Sequence, residues 1–223
     1  MIDQPFTIFQ PYADRLRVRL YERSDDLHGT DDVQRHEGIP VADAEQPHGP
    51  RTARVDTACT TLGVDGLVTH TQGLALATRG ADCQIFVAYD PRNSCGGVLH
   101  VGWKGLLNGA IAGFMQEIEG VWGSDPRELL IGAGPSLCLA CSEFTDPTRE
   151  LTGIDHRFFQ GRLADLRSIA DDQWLRAGVR RTNIERHADC TRCHRERWWS
   201  LRGGDKEALR TGSRNVLTLS LRK

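Results

Sequence analysis

The chain has 223 residues, 39% of them hydrophobic, and a formal net charge of −2 with a pI near 6.4. That is enough apolar material for one sizeable domain and argues against wholesale disorder, while the mild acidity excludes nucleic acid or an anionic membrane as an obvious partner. No run of about 18 apolar residues suggests a membrane-spanning helix, and the start, Met1 to Phe6, lacks the basic and apolar regions of a secretory signal; a cytoplasmic protein is expected. Seven cysteines, an odd number in a chain of this size, fit reduced thiols better than a secreted disulfide framework.

In chain order, Arg15–Tyr21 alternates and predicts a strand, whereas residues 24–50, rich in Asp, His, Gly and Pro, read as loop. Short strands are expected at Ala53–Asp56, Gly66–His70, Leu74–Thr78, Gln84–Tyr89 and Gly97–Val101. Leu106–Trp122 carries a helical apolar period closed by Gly123 and Pro126. Leu129–Pro135 reads as a strand and sharp turn, 163–178 as a helix, Asn183–Arg186 as a strand, and Trp198–Leu201 and Asn215–Leu221 as closing strands, the last one central. Strands and helices mix without strict alternation, which predicts an α+β fold rather than a doubly wound sheet.

The chemistry concentrates in Ala81-Asp82-Cys83 and His100-Val-Gly-Trp-Lys-Gly105. A strand, a turn and a second strand separate Cys83 from His100, so a thiolate and an imidazole can meet at the adjacent ends of neighbouring strands. Such a pair either ligates a metal or forms a nucleophile and its base. His48, at a turn, adds a third donor. Two imidazoles and one thiolate suit Zn²⁺ with a fourth position open to water or substrate, the pattern of a catalytic site. The bland alternative is a buried small thiol and two ordinary histidines. Two further pairs, Cys138-x-x-Cys141 and Cys190-x-x-Cys193, have the spacing of a second, structural Cys₄ zinc site. Cys190-x-x-Cys193-His194 also matches a haem-attachment pattern, but with no export signal and no obvious axial Met (only Met1 and Met115 exist), haem is not expected. His70 reads as a strand-end residue, Trp198-Trp199 as core, and Gly132-Ala-Gly134-Pro135 lacks the Lys and Ser/Thr of a phosphate-binding loop.

Taken together, Gln46-Pro-His-Gly49, Ala81-Asp-Cys83, His100-Val-Gly-Trp-Lys-Gly105, Ile131-Gly-Ala-Gly-Pro135 with Glu143, Asp165-Leu166, Asp189-Cys-Thr-x-Cys193 and Ser200-x-Arg202 resemble, in order, the YfiH-type laccase-domain family. This family is also called polyphenol oxidase, peptidoglycan editing factor or zinc-dependent purine nucleoside phosphorylase. The resemblance covers about residues 45–223. It implies one layered domain over 1–223, with mixed β-sheets sandwiched between helices and a divergent, shortened N-terminal segment at 1–45. It further implies a metal set of His48, Cys83 and His100, with zinc expected and copper the alternative, and catalytic or substrate-side roles for Cys83, His100, Asp82, Lys104 and Arg202. The activity implied is phosphorolysis of purine nucleosides, with adenosine deamination beside it. Copper-dependent phenol oxidation, Cys–His amide hydrolysis of cell-wall precursors and a recruited or inactive metal-binding member are the alternatives. The partners implied are a nucleoside and phosphate, with the chain a monomer or small homo-oligomer. The departures are specific: Pro47 stands where Val is usual, Val101 for Ala, Lys104 for Arg, and Gln84-Ile85 for Leu-Pro. Lys104 keeps the charge of Arg but not its two-pronged donor.

Overall fold

The structure, a computed structural model, describes residues 1–222. Two six-stranded mixed sheets form its frame. The first runs β1 (Ile2–Asp3), β2 (Leu16–Tyr21), β14 (Asn215–Leu221), β7 (Ala75–Gly80), β3 (Val41–Ala44) and β5 (Thr60–Thr61). The second runs β13 (Ile184–Arg186), β10 (Leu130–Ala133), β8 (Gln84–Asp90), β9 (Cys95–Val101), β6 (Gly66–Thr69) and β4 (Thr52–Arg54). A small pair, β11 (Phe159–Gln160) with β12 (Leu163–Ala164), stands apart. The helices are α1 (Thr30–Glu37), α2 (Trp103–Asn108), α3 (Ala110–Trp122), α4 (Pro147–Glu150), α5 (Leu166–Arg176) and α6 (Lys206–Arg210).

The layers follow from side-chain alternation. In β8, Ile85, Val87 and Tyr89 face the core between the sheets, where they meet Val18, Leu20, Leu76, Leu217 and Leu219. The intervening Phe86 and Ala88 face the opposite way, into a second core with Phe114 of α3 and Trp174 of α5. A strand buried on both faces reads as an unbroken apolar run, which is how residues 84–89 look in sequence. A third cluster packs Val33 of α1 against Tyr21, Val41 and Ala75 on the outer face of the first sheet. The order is therefore helix, sheet, sheet, helices, an α+β architecture with mixed sheets between helical layers. β14 is central, paired on one side with β2 and on the other with β7. Among the described residues, no helix is long and apolar enough to cross a membrane.

Four local expectations are corrected. Residues 24–50 contain α1 and β3 rather than loop alone. α1 escapes a periodicity search because Val33 and Glu37 are its only buried residues. Its signals are charges: Asp31 and Asp32 in the first turn, Arg35 and His36 in the last, and Gly38 left-handed at φ 71° as C-cap. Glu37 anchors it by accepting from Tyr21, Thr218 and Arg19 in a buried network. The expected single helix 106–122 is two, because Gly109, at φ 77°, ends α2 and opens α3. The helix expected at 163–178 begins only at Leu166, where the Asp165 side chain caps it by accepting from the Ser168 N–H. Trp198–Leu201 is not a strand: the Trp199 backbone pairs with the Asn215 side chain instead of a neighbouring strand. Trp198 and Trp199 are nevertheless buried.

Candidate active site

The β8–β9 hairpin sets the site. Its turn is tied by Asp90, whose carboxylate accepts from the backbone N–H groups of Arg92 and Asn93. The register pairs Ile85 with His100 and Gln84 with Val101. Cys83 lies just before the first strand and His100 at the end of the second, so both fall at the same open end of the hairpin. The loop after β3 brings His48 to them. The donor atoms of His48, Cys83 and His100 all lie within 4.8 Å of one another, a group able to hold a metal ion. Cys83 Sγ is 3.8 Å from His48 Nε2, and the two imidazole rings meet edge to face, 4.7 Å between centroids at 85°.

Asp65, which precedes β6, organises two of these donors. Its carboxylate accepts from Nδ1 of His100 at 2.9 Å and from the backbone N–H groups of His48 and Gly49 at 2.9 and 2.7 Å. With Nδ1 of His100 engaged, Nε2 remains the donor atom toward the cluster, the arrangement by which carboxylates fix metal-binding histidines. Asp65 has no sequence signature of its own. The His48 loop is also pinned through Gln46, whose side-chain amide donates to the carbonyl of Arg79 and accepts from its backbone N–H.

The backbone is strained here. Gln46, His48 and Asp82 have φ of 66°, 67° and 93°, three of the few non-glycine residues in the left-handed region. Gly102 opens the space between the donors: a Cβ there would lie 2.7 Å from the His48 ring and 3.0 Å from Cys83 Sγ.

The electrostatics match the packing. Burial alone would raise the Cys83 thiol, yet hydrogen bonds and charge from His100 and His48 bring its pKa down to about 6. Burial would likewise lower His100, but Asp65 and Cys83 hold it up at about 9. In the metal-free protein at neutral pH, Cys83 and His100 are therefore a thiolate beside an imidazolium.

Two cavities meet at His48 and Cys83. One, of about 350 Å³, is lined by Glu45, Arg79 and Arg214 together with His48, Cys83 and His100. The other, of about 250 Å³, carries Trp103, Phe144, Leu137, Ser136 and Arg202. Trp103 and Phe144 stand edge to face, 6.1 Å apart. In the first cavity Arg79 pairs with Asp43, whereas Arg214 donates to the carbonyls of Leu209 and Ser213. Burial and the like charge of Arg79 lower the Arg214 pKa, a strain that a bound anion would relieve.

Of the remaining sequence-predicted residues, Asp82 and Arg202 line the second cavity and Lys104 lines neither. Asp82 turns away from the three donors: its carboxylate accepts from Thr191 Oγ1, Ser200 Oγ and the backbone N–H of Arg202, at 2.8, 2.6 and 2.6 Å. Lys104 is exposed in the first turn of α2, its amine 5.6 Å from the ring centre of Trp103, and lines neither cavity. The cations facing the first cavity are instead Arg79 and Arg214, which sequence reading passed over. They lie near the paired ends of β7 and β14, where Asn215 is opposite Gly80, a proximity that only the strand register reveals. His70 stands exposed, 3.8 Å from Asp56 and outside the donor group.

The family described as multi-copper polyphenol oxidoreductase laccase matches residues 29–218. The purine nucleoside phosphorylase LACC1 of Mus musculus is 29% identical over 148 residues, 61% of this chain but 34% of that protein, so the chain matches about a third of that relative's length. The adenosine deaminase RL5, from an unknown prokaryotic organism, is 29% identical over 188 residues, covering 74% of this chain and 71% of its own. The crystal structure of YlmD from Geobacillus stearothermophilus has a TM-score of 0.79 at 20% identity, covering 96% of this chain and 94% of the other; the likeness is one of fold.

Proposed function

The chain belongs to the family described as multi-copper polyphenol oxidoreductase laccase, and from that premise we propose that it is a zinc enzyme splitting purine nucleosides with phosphate, with adenosine deamination as a second activity. One observation carries the reading: His48, Cys83 and His100 converge where an aromatic cavity and an arginine-lined cavity meet. A flat base suits the wall of Trp103 and Phe144, and an inorganic anion suits Arg79 and Arg214. Relatives named purine nucleoside phosphorylase and adenosine deaminase support the substrate class.

The donor set fits zinc. Two imidazoles and one thiolate leave a fourth position, Gly102 leaves room beside them, and Asp65 orients His100. A multi-copper oxidase needs several histidine-rich centres, whereas only one of the two potential metal groups among the described residues contains histidine. When bound, zinc would act as a Lewis acid that polarises a substrate oxygen.

The chain's own residues do the rest. Arg79 and Arg214 hold phosphate so that one of its oxygens faces the ribosyl carbon. As the new C–O bond forms, the C–N bond breaks with its electron pair going to the base nitrogen, and the base, stacked in the aromatic cavity, takes up the proton that dihydrogen phosphate gives up. The Asp65 carboxylate keeps His100 in one tautomer and one orientation. Asp82 acts at one remove, fixing the segment that lines the base cavity and the backbone that leads into Cys83.

The test is turnover of inosine and adenosine with and without phosphate, in zinc-loaded and chelator-treated protein. Phosphate-dependent release of base that disappears on zinc removal is expected. A metal-free thiol hydrolase is the second reading, favoured by the lowered Cys83 pKa. It requires that chelation leave activity intact while alkylation of Cys83 abolishes it.

A further inference from the structure

Away from the candidate active site, four cysteines meet. Cys138 and Cys141 follow the turn after β10, and Cys190 and Cys193 follow β13, the parallel neighbour of β10. The two segments leave the same end of the sheet side by side, joined by a bridge between Ser136 and Cys190 and by the Thr191 N–H donating to the Ser136 carbonyl. All four are free thiols whose sulfurs lie within 4.8 Å of one another.

The spacing discriminates between disulfides and a metal. Sγ of Cys193 is 3.5 Å from that of Cys141 and 4.0 Å from that of Cys138. A disulfide needs about 2.05 Å between sulfurs. A tetrahedron of thiolates around zinc, with Zn–S near 2.3 Å, puts its sulfurs about 3.8 Å apart. A backbone N–H already faces one sulfur: that of Cys138 donates to Cys190 Sγ at 3.3 Å. An amide directed at a sulfur favours its thiolate, the form that ligates metal.

The surroundings need such a tie. The local apolar cluster consists of Leu137, Cys141 and Cys190, with Cys138 against it. Three of its four members are cysteines, so immediately around the sulfurs there is little hydrophobic burial, and the nearest large core side chain of the distal segment is Trp198, five residues beyond Cys193. The distal segment also carries Thr191, Ser200 and the Arg202 N–H, the donors on Asp82 beside Cys83.

We infer that Cys138, Cys141, Cys190 and Cys193 bind a structural zinc ion that clamps the 190–202 segment against the β10 turn and so positions Asp82. This inference stands independently of the function proposed above.

The test uses the full chain carrying His48→Ala and Cys83→Ala, which removes two donors of the other group. Expressed with zinc, this variant retains about one equivalent, and its X-ray absorption shows a shell of four sulfurs at about 2.3 Å with no nitrogen. Adding Cys138→Ser and Cys193→Ser drops its zinc content at least tenfold. Should those substitutions impair folding, the unmutated chain gives a second reading: about two equivalents of zinc, one in an all-sulfur shell. A folded double variant without zinc, whether its thiols are free or Cys193 is disulfide-bonded to Cys138 or Cys141, overturns the inference. So does a metal shell that contains nitrogen or an ion other than zinc.

Discussion

The buried carboxylate of Asp65 accepts from His100 Nδ1 at 2.9 Å while the same group holds the backbone of His48 and Gly49. One side chain thus orients two of three donors drawn from separate parts of the sequence. Asp65→Asn, which keeps the shape but loses the charge, should weaken zinc affinity about 10- to 100-fold. Competition with a chromogenic chelator measures it; an unchanged affinity would leave Asp65 a purely structural residue.

Gly102 separates the donors. In Gly102→Ala the new Cβ would lie 2.7 Å from His48 Cδ2 and 3.0 Å from Cys83 Sγ, and one of them must move. Zinc affinity should fall at least about tenfold, since ligand geometry is held to tenths of an ångström, while thermal stability changes little. Equal losses of both would point to general misfolding instead.

The thiols of the metal-free protein should differ sharply in reactivity. Cys83, with a pKa lowered to about 6, is already thiolate at pH 7, whereas burial keeps Cys95 a thiol up to about 12. Because the thiolate is the attacking form, the iodoacetamide rate at Cys83 should rise with pH, reach half its maximum near pH 6 and level off above pH 7. Cys95 should stay unmodified throughout. Peptide mass mapping across pH reads both, and a Cys83 midpoint near pH 9 would mean that the imidazoles do not act on it.

Asp82→Ala leaves three buried or half-buried donors, from Thr191, Ser200 and Arg202, without their acceptor. Unfolding free energy should drop by about 3 kcal/mol. Lys104→Ala, at an exposed position, should stay within about 0.5 kcal/mol. Denaturant titration of the two side by side gives the contrast.

Much of this site is legible in the sequence, for a physical reason. Cys83 and His100 bracket two apolar strands and one turn, and antiparallel pairing then dictates their proximity. The sandwich follows from β8, whose unbroken apolar run demands burial on both faces. What sequence reading misses depends on pairing between distant segments. Asp65 meets His100 through its side chain across 35 positions. Arg79 and Arg214 become neighbours only through the register of β7 and β14. α1 is overlooked because its anchor is a buried glutamate rather than an apolar stripe. Trp198–Leu201 imitates a strand by composition, while its backbone and indole groups bond to Asn215 and Asp189 side chains.

The arginine cavity makes its own prediction. Arg214→Ala removes a cation that, among the described residues, bonds only to the carbonyls of Leu209 and Ser213, on the wall of that cavity. The KM for phosphate should rise about tenfold or more with the nucleoside KM little changed. Steady-state kinetics varying each substrate in turn distinguishes this from a loss shared by both.

The most direct measurement pairs metal content with turnover in wild type and Cys83→Ala. Cys83→Ala should lose about one equivalent of zinc relative to wild type and, with it, phosphate-dependent cleavage of inosine or adenosine. Equal zinc content in the two proteins, or equal nucleoside turnover, would contradict it.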